Sequence, residues 1–271
     1  MIYADLHLHT NYSDGTQTLE QVFSLAKEKG IQVAAITDHD TLFHYDAVCK
    51  TAQEYGIRTV RGVEMSCYDY DVSKRVHILG LWLKEEAPNC EALCTKVLQG
   101  RDAYHRVLIR KLQEKGFDIT YEDAKIFSPH NIVFKMNIFQ ALVRKYPEMA
   151  DLKKYRAMFG GQGGSGDKAV AYIDVRQGIE AILADGGIPV LAHPCEYDNY
   201  DEVEKYTSYG LRGIEISHPL MKEADYVRTL ELQKRLNLLP FGGSDYHDSR
   251  MPTLGKCGLT EEQFHLLESR I

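Results

Sequence analysis

Apolar and polar positions alternate with a period of two at the start of the chain: Ile2, Ala4, Leu6 and Leu8 against Tyr3, Asp5, His7 and His9. That period predicts a β-strand with one apolar face. Residues 18–29 instead carry Leu19, Val22, Phe23, Leu25 and Ala26 at helical spacing and stop at Gly30, which suits the close of a helix. An apolar run over 31–37 predicts a second strand, ending at Asp38-His39-Asp40. A second helix over 44–55 closes at Gly56, and a third strand over 57–60 is followed by Gly62-Val63-Glu64-Met65. A fourth strand is expected over 76–81. Alternating strands and helices with short links predict parallel β/α units.

The rhythm lapses near Ala87. Residues 93–115 form a long helical pattern of mixed charge, and 138–145 predict another helix. The glycine-rich segment 160–166 reads as a lid hinge or a plain connector. Residues 88–168 are therefore expected to be a helical insertion into an α/β domain made of 1–87 and 169–271. The β/α rhythm returns with a helix over 175–185 and a strand over 188–192 that runs into His193-Pro194. A helix over 201–209 leads to a strand over 213–217 that runs into His218-Pro219. A last helix over 222–236 precedes 238–243 and then Ser244-Asp245-Tyr246-His247.

Composition narrows the function classes. With 271 residues and a formal charge of −7, the chain can bury a full core but lacks the basic balance of a nucleic-acid surface. A stable nucleic-acid complex is not expected. No apolar run approaches a membrane span, and the first motif begins too early to leave room for a signal peptide, so the cytoplasm is the expected location. The six cysteines are scattered without a C-x-x-C pair, as free thiols in a reducing compartment would be.

Candidate chemistry gathers where strands end. His7 and His9, His39, Glu64, His77, His193, Asp245 and His247 all fall at or just after predicted strands, and Asp14 follows the first of them by a polar turn. His7-x-His9 alone fits a half-buried strand with a wet face equally well. Parallel β/α folds, however, bring the carboxyl ends of their strands to one face, where ligands bind. Six strand ends supplying imidazole or carboxylate to one face predict a metal cluster. His218 also ends a strand.

These residues resemble the ordered motifs of the PHP (polymerase and histidinol phosphatase) metallophosphoesterases. The resemblance rests on Asp5-x-His7-x-His9-Thr10 with Ser13-Asp14-Gly15, Thr37-Asp38-His39-Asp40, Gly62-x-Glu64, Ala192-His193-Pro194 and Gly243-Ser244-Asp245-x-His247. The segments 186–194 and 213–219 are most similar to the stand-alone nucleotide-phosphatase and exoribonuclease branch. The resemblance implies a distorted seven-stranded β/α barrel with a helical insertion. It also implies two to three divalent ions (Mn²⁺, Fe²⁺ or Zn²⁺) held by His7, His9, Asp14, His39, Glu64, His77, His193, Asp245 and His247, with Glu64 as a bridge. Asp5, Asp38 and Asp40 are expected to orient ligand imidazoles.

The implied activity is hydrolysis of a small phosphomonoester by a hydroxide shared between metals. A nucleotide such as a 3′,5′-bisphosphate, or an oligonucleotide end, is the leading substrate. Histidinol phosphate, or a non-catalytic metal-binding role, is the alternative. His218 is expected either to protonate the leaving oxygen or to contact a substrate phosphate. In the related branch a Gly-Arg-x-His segment of the insertion supplies an arginine to the phosphate. Here that stretch is Phe127-Ser128-Pro129-His130, with serine in place of arginine. Ser128, His130, Lys135 and Lys168 remain as candidate phosphate contacts.

Overall fold

The computed structural model describes residues 1–130, 132–159 and 170–271. Asn131, the glycine-rich segment 160–166, Lys168 and the expected boundary at 168 lie outside them. Among the described residues there are nine strands: β1 (Ala4–Leu8), β2 (Val33–Ile36), β3 (Arg58–Thr59), β4 (Gly62–Asp69), β5 (Lys74–Leu81), β6 (Ile173–Asp174), β7 (Ile188–Leu191), β8 (Gly213–Ser217) and β9 (Leu239–Gly242). They form two sheets, β1-β2-β3 and β6-β4-β5-β7-β8-β9. Single bridges, His39 to Glu64 and Leu8 to Tyr246, join the sheets at their edges. Seven strands thus ring a distorted barrel that no continuous ladder closes, with β3 and β6 as short additions at its edges.

The helices follow the pattern of the sequence closely. Leu19–Glu28 starts at Thr18, whose side chain accepts from Gln21 N while Gln21 returns the bond to Thr18 N. That reciprocal cap satisfies two amides left over by the first turn. The helix buries Leu19, Val22, Phe23 and Ala26, each large apolar side chain contributing about 1.5–3 kcal/mol of burial. Tyr45–Tyr55 ends on Gly56 at φ 71°, the left-handed conformation that glycine adopts without strain.

One expectation is overturned. β4 and β5 pair antiparallel, and β5 pairs antiparallel with β7. Only four residues, Tyr70 to Ser73, separate β4 from β5. A parallel crossover needs a dozen residues or more, so this link can make only a hairpin. His77 therefore lies mid-strand, and Glu64 sits near the start of its strand. Both still face the site, because the hairpin lies beside the ends of β2 and β7.

The long helix Pro88–Glu114 serves two cores. Its first half (Cys90, Cys94, Val97) packs into the barrel core with Met65, Ile78 and Ile182. Its second half (Ile109, Leu112) packs with Ile119, Val133, Ile138 and Leu142 of the insertion. The expected boundary at 88 falls at the start of this shared helix. No helix among the described residues is long and apolar enough to cross a membrane.

Candidate metal centre

The first strand sets the geometry. Alternation puts His7 and His9 on one side of β1, with their Nε2 atoms 3.1 Å apart. β9 lies close enough to support them because Gly243 has no side chain; a Cβ there would stand 2.3 Å from that of His7. Glu64 Oε2 lies 3.1 Å from His7 Nε2, 3.0 Å from His9 Nε2 and 3.4 Å from His39 Nδ1. Its other oxygen, Oε1, lies 2.8 Å from both His77 Nδ1 and His193 Nε2. One buried carboxylate is thus shared by five imidazoles from four strands or strand ends.

Two further carboxylates complete the group. Asp245 Oδ1 lies 3.4 Å from His7, 3.2 Å from His9 and 3.4 Å from His247 Nδ1. Asp14 Oδ1 lies 3.2 Å from His247 Nε2, and its second oxygen 3.9 Å from His39. All nine residues expected as ligands come together here. Their donor atoms form overlapping sets that could each hold an ion: His9-Asp14-His39-His247, His7-His9-Glu64-Asp245 and His39-Glu64-His77. A fourth set, His193-Glu196-Asp245, brings in Glu196, which the sequence reading missed. Asp245 Oδ1, His39 Nδ1 and His193 Nδ1 are buried without a hydrogen-bond partner. Orphaned ligand atoms of mixed nitrogen and carboxylate character, without thiolate, fit divalent Mn, Fe or Zn.

The charges depend on one another. Burial opposes ionisation of Glu64, but His39, His7 and His77 outweigh it and hold its carboxyl well below the usual range. Burial likewise disfavours protonated His193 and His247, yet neighbouring carboxylates raise them to about 9 and about 10. His39 goes the other way: burial lowers it to about 4, and Glu64 and Asp14 only partly compensate.

The supporting carboxylates differ from expectation. Asp5 accepts the backbone N–H groups of Ser244 and His7, tying β1 to the end of β9. Asp38 accepts from Thr10 N, Thr10 Oγ1, Ser13 Oγ and His44 Nε2, so it shapes the turn that carries Asp14. Asp40 accepts Ser66 N and an Arg101 fork from the long helix. None of the three holds a ligand imidazole. That task falls to Glu215 on β8, which takes His7 Nδ1 at 3.0 Å and His193 N at 2.6 Å. Glu215 and Arg101 were both missed; a fully buried acid inside the apolar strand 213–217 was the signal for the first. His193 and Asp245 adopt φ of 24° and 46°, strained values that bend the strand ends toward the cluster.

The PHP domain family model matches residues 5–181. This chain belongs to the PHP family. It is similar to a phosphoribosyl 1,2-cyclic phosphate 1,2-diphosphodiesterase of Eggerthella lenta, 37% identical over 93% of this chain and 97% of that protein. A 3′,5′-nucleoside bisphosphate phosphatase of Chromobacterium violaceum is 25% identical over 91% of this chain and 88% of its own length. A 5′-3′ exoribonuclease of Haemophilus influenzae is 27% identical over 90% and 89%. The fold matches a solved metal-dependent phosphoesterase of Bifidobacterium adolescentis with a TM-score of 0.88, at 23% identity over 99% of this chain and 96% of that one. This PHP domain is a metal-dependent phosphoesterase, a hydrolase.

The expected substrate contacts are placed less simply in this PHP domain. Ser128 Oγ donates to Ile132 O, within its own turn. His130 Nε2 donates to Tyr12 O at 2.6 Å and its Nδ1 accepts Ile132 N, so both ring nitrogens are engaged. His130 ties the insertion to the turn between the candidate ligands His9 and Asp14. Lys135 opens the helix Lys135–Lys145. Among the described candidates, His218 alone adjoins the cluster, with Nε2 3.2 Å from Asp245 Oδ2 and Nδ1 accepting Leu220 N.

Proposed function

We propose that this PHP domain hydrolyses a phosphate ester carried on a ribose, in the cytoplasm, with two or three divalent ions. The observation that carries the reading is Glu64, buried between two groups of imidazoles, where one carboxylate can serve two ions. The relatives narrow the substrate, since nucleoside bisphosphates and a phosphoribosyl cyclic phosphate share a phosphorylated ribose. The six free cysteines suit a reducing compartment.

Divalent ions held by the nine ligands would generate hydroxide from a shared water and neutralise charge on the phosphoryl group. The chain's own residues do the rest. Glu215 fixes the His7 ring, leaving Nε2 to face the cluster. His218 keeps a proton on Nε2, because its Nδ1 accepts the Leu220 amide. In this neutral form Nε2–H donates a hydrogen bond to a phosphoryl oxygen; protonating the leaving oxygen instead requires the imidazolium, in which Nδ1 also carries a proton and gives up the Leu220 bond.

Hydrolysis of adenosine 3′,5′-bisphosphate, followed as phosphate release, and of phosphoribosyl 1,2-cyclic phosphate, followed as ring opening to a phosphomonoester, tests the reading in the presence of Mn²⁺. Turnover of at least one is expected; neither product from metal-loaded protein would overturn it. His218→Asn separates the two roles of that residue. Loss of the acid lowers kcat by about 10²–10⁴, whereas loss of a phosphate contact raises KM.

A further inference from the structure

A cavity of about 420 Å³ opens between the barrel and the insertion, lined by Thr16, Phe139, Gln140, Arg144, Asp248 and Arg250 among others. Its size falls within the range of small-ligand sites. Its barrel wall is continuous with the metal cluster. Thr16 lies two residues after Asp14 and donates its N–H to His247 O at 2.8 Å, and Asp248 directly follows His247. The cavity's barrel wall is thus built from the same loops that carry Asp14 and His247.

The walls carry specific chemistry. Asp248 is fully buried and paired with Arg250 through two hydrogen bonds, 2.8 Å to Nε and 2.5 Å to a terminal nitrogen, so those two charges cancel. Arg144 is exposed on the facing helix Lys135–Lys145 and has no carboxylate partner among the described residues. It leaves the cavity one net positive charge in a chain of net charge −7. Gln140 Oε1, one turn earlier, is buried and has no hydrogen-bond partner. Phe127, Phe139 and Val143 supply apolar surface. A guanidinium and an apolar floor match a phosphate and a ring.

We infer that this cavity binds the non-reacting end of the substrate, a ribose whose second phosphate is held by Arg144. The inference rests on the phosphorylated-ribose reading and deepens it. Arg144 presents a planar guanidinium from the insertion's helix, a geometry suited to a phosphate. The two more informative relatives are named for substrates with a second phosphate: a nucleoside bisphosphate and a phosphoribosyl cyclic phosphate.

Adenosine 3′,5′-bisphosphate and adenosine 3′-monophosphate differ only in that second phosphate. The Mn²⁺-loaded wild type is expected to favour the bisphosphate in KM by tenfold or more, on the order of one charge-assisted pair. Arg144→Gln is expected to erase this preference, and Arg144→Lys to restore part of it. If the wild type turns over neither compound, the functional reading fails, and the calorimetric Kd of each compound replaces KM as the readout. An unchanged ratio of the two constants in Arg144→Gln, or no preference in the wild type, overturns the inference.

Discussion

The residues that hold metal and the residues that hold the metal ligands were not equally visible. Histidines and acids at strand ends betray themselves by position, because the ends of strands in such a fold converge. Their partners do so far less: Glu215 meets His7 across 208 residues of sequence, and an acid within the apolar strand 213–217 was its one local sign. Asp5, Asp38 and Asp40 lie beside ligands in sequence yet spend their hydrogen bonds on backbone amides, hydroxyls and Arg101. The consequence is testable. Glu215→Gln keeps the shape but removes the charge that holds His7 Nδ1. Outer partners of this kind typically cost 10- to 100-fold in metal affinity when removed. Competition against a chelator should show a loss of that size with the circular dichroism spectrum unchanged. Wild-type affinity in Glu215→Gln would show that Glu215 does not orient His7 for metal.

At the scale of elements, the helices that the sequence predicted lie within five residues of their expected ends, because caps such as Thr18 and Gly56 are local, whereas the short helices Tyr121–Lys125, Leu152–Phe159, Pro194–Tyr197 and Glu261–Glu268 were not predicted. The β4–β5 hairpin was missed for a different reason. The alternation of strands and helices suggested parallel pairing, but the four residues from Tyr70 to Ser73 are too few for a crossover. The insertion contains a group that no pattern could foresee. His105 on the long helix is buried, its Nδ1 donating to Val133 O. Burial, with Arg101 and Lys135 adding repulsion, lowers it to about 3. An unfolded histidine titrates near 6.5, so between about pH 6.5 and 3 the unfolded chain binds the extra proton and the folded chain does not. Stability is therefore intact above about 6.5 and falls as pH falls through that window, by up to about 1.4 kcal/mol per pH unit. His105→Gln removes this slope. Thermal melts at pH 7 and pH 5 should show the wild type losing more Tm than the variant; equal losses would mean that His105 is not buried as a neutral ring.

The whole molecule explains why the cluster sits where it does. The two sheets meet through single bridges, and one of them, His39 to Glu64, joins two metal ligands. Ligands come from both sheets: His7, His9 and His39 from one, Glu64 and His77 from the other, with His193 and Asp245 at the ends of β7 and β9. Ions bound here would cross-link a barrel that its backbone pairing leaves open. They bind only the folded arrangement, so they must raise its stability by mass action. At an ion concentration a thousandfold above Kd the gain is about 4 kcal/mol. For a chain of this size that corresponds to a rise in Tm of roughly 10 °C. Thermal unfolding should therefore shift upward by that order when chelator-treated protein receives Mn²⁺, and phosphate release should return in parallel. His7→Ala and Asp245→Ala should each blunt the shift, because each removes a ligand of the His7-His9-Glu64-Asp245 set, which spans the two sheets. If activity returns with Mn²⁺ but Tm stays fixed, the ions do not cross-link the sheets, and contacts such as Asp5 with Ser244, Asp245 N with His7 O and the Leu8–Tyr246 bridge suffice to hold β1 beside β9.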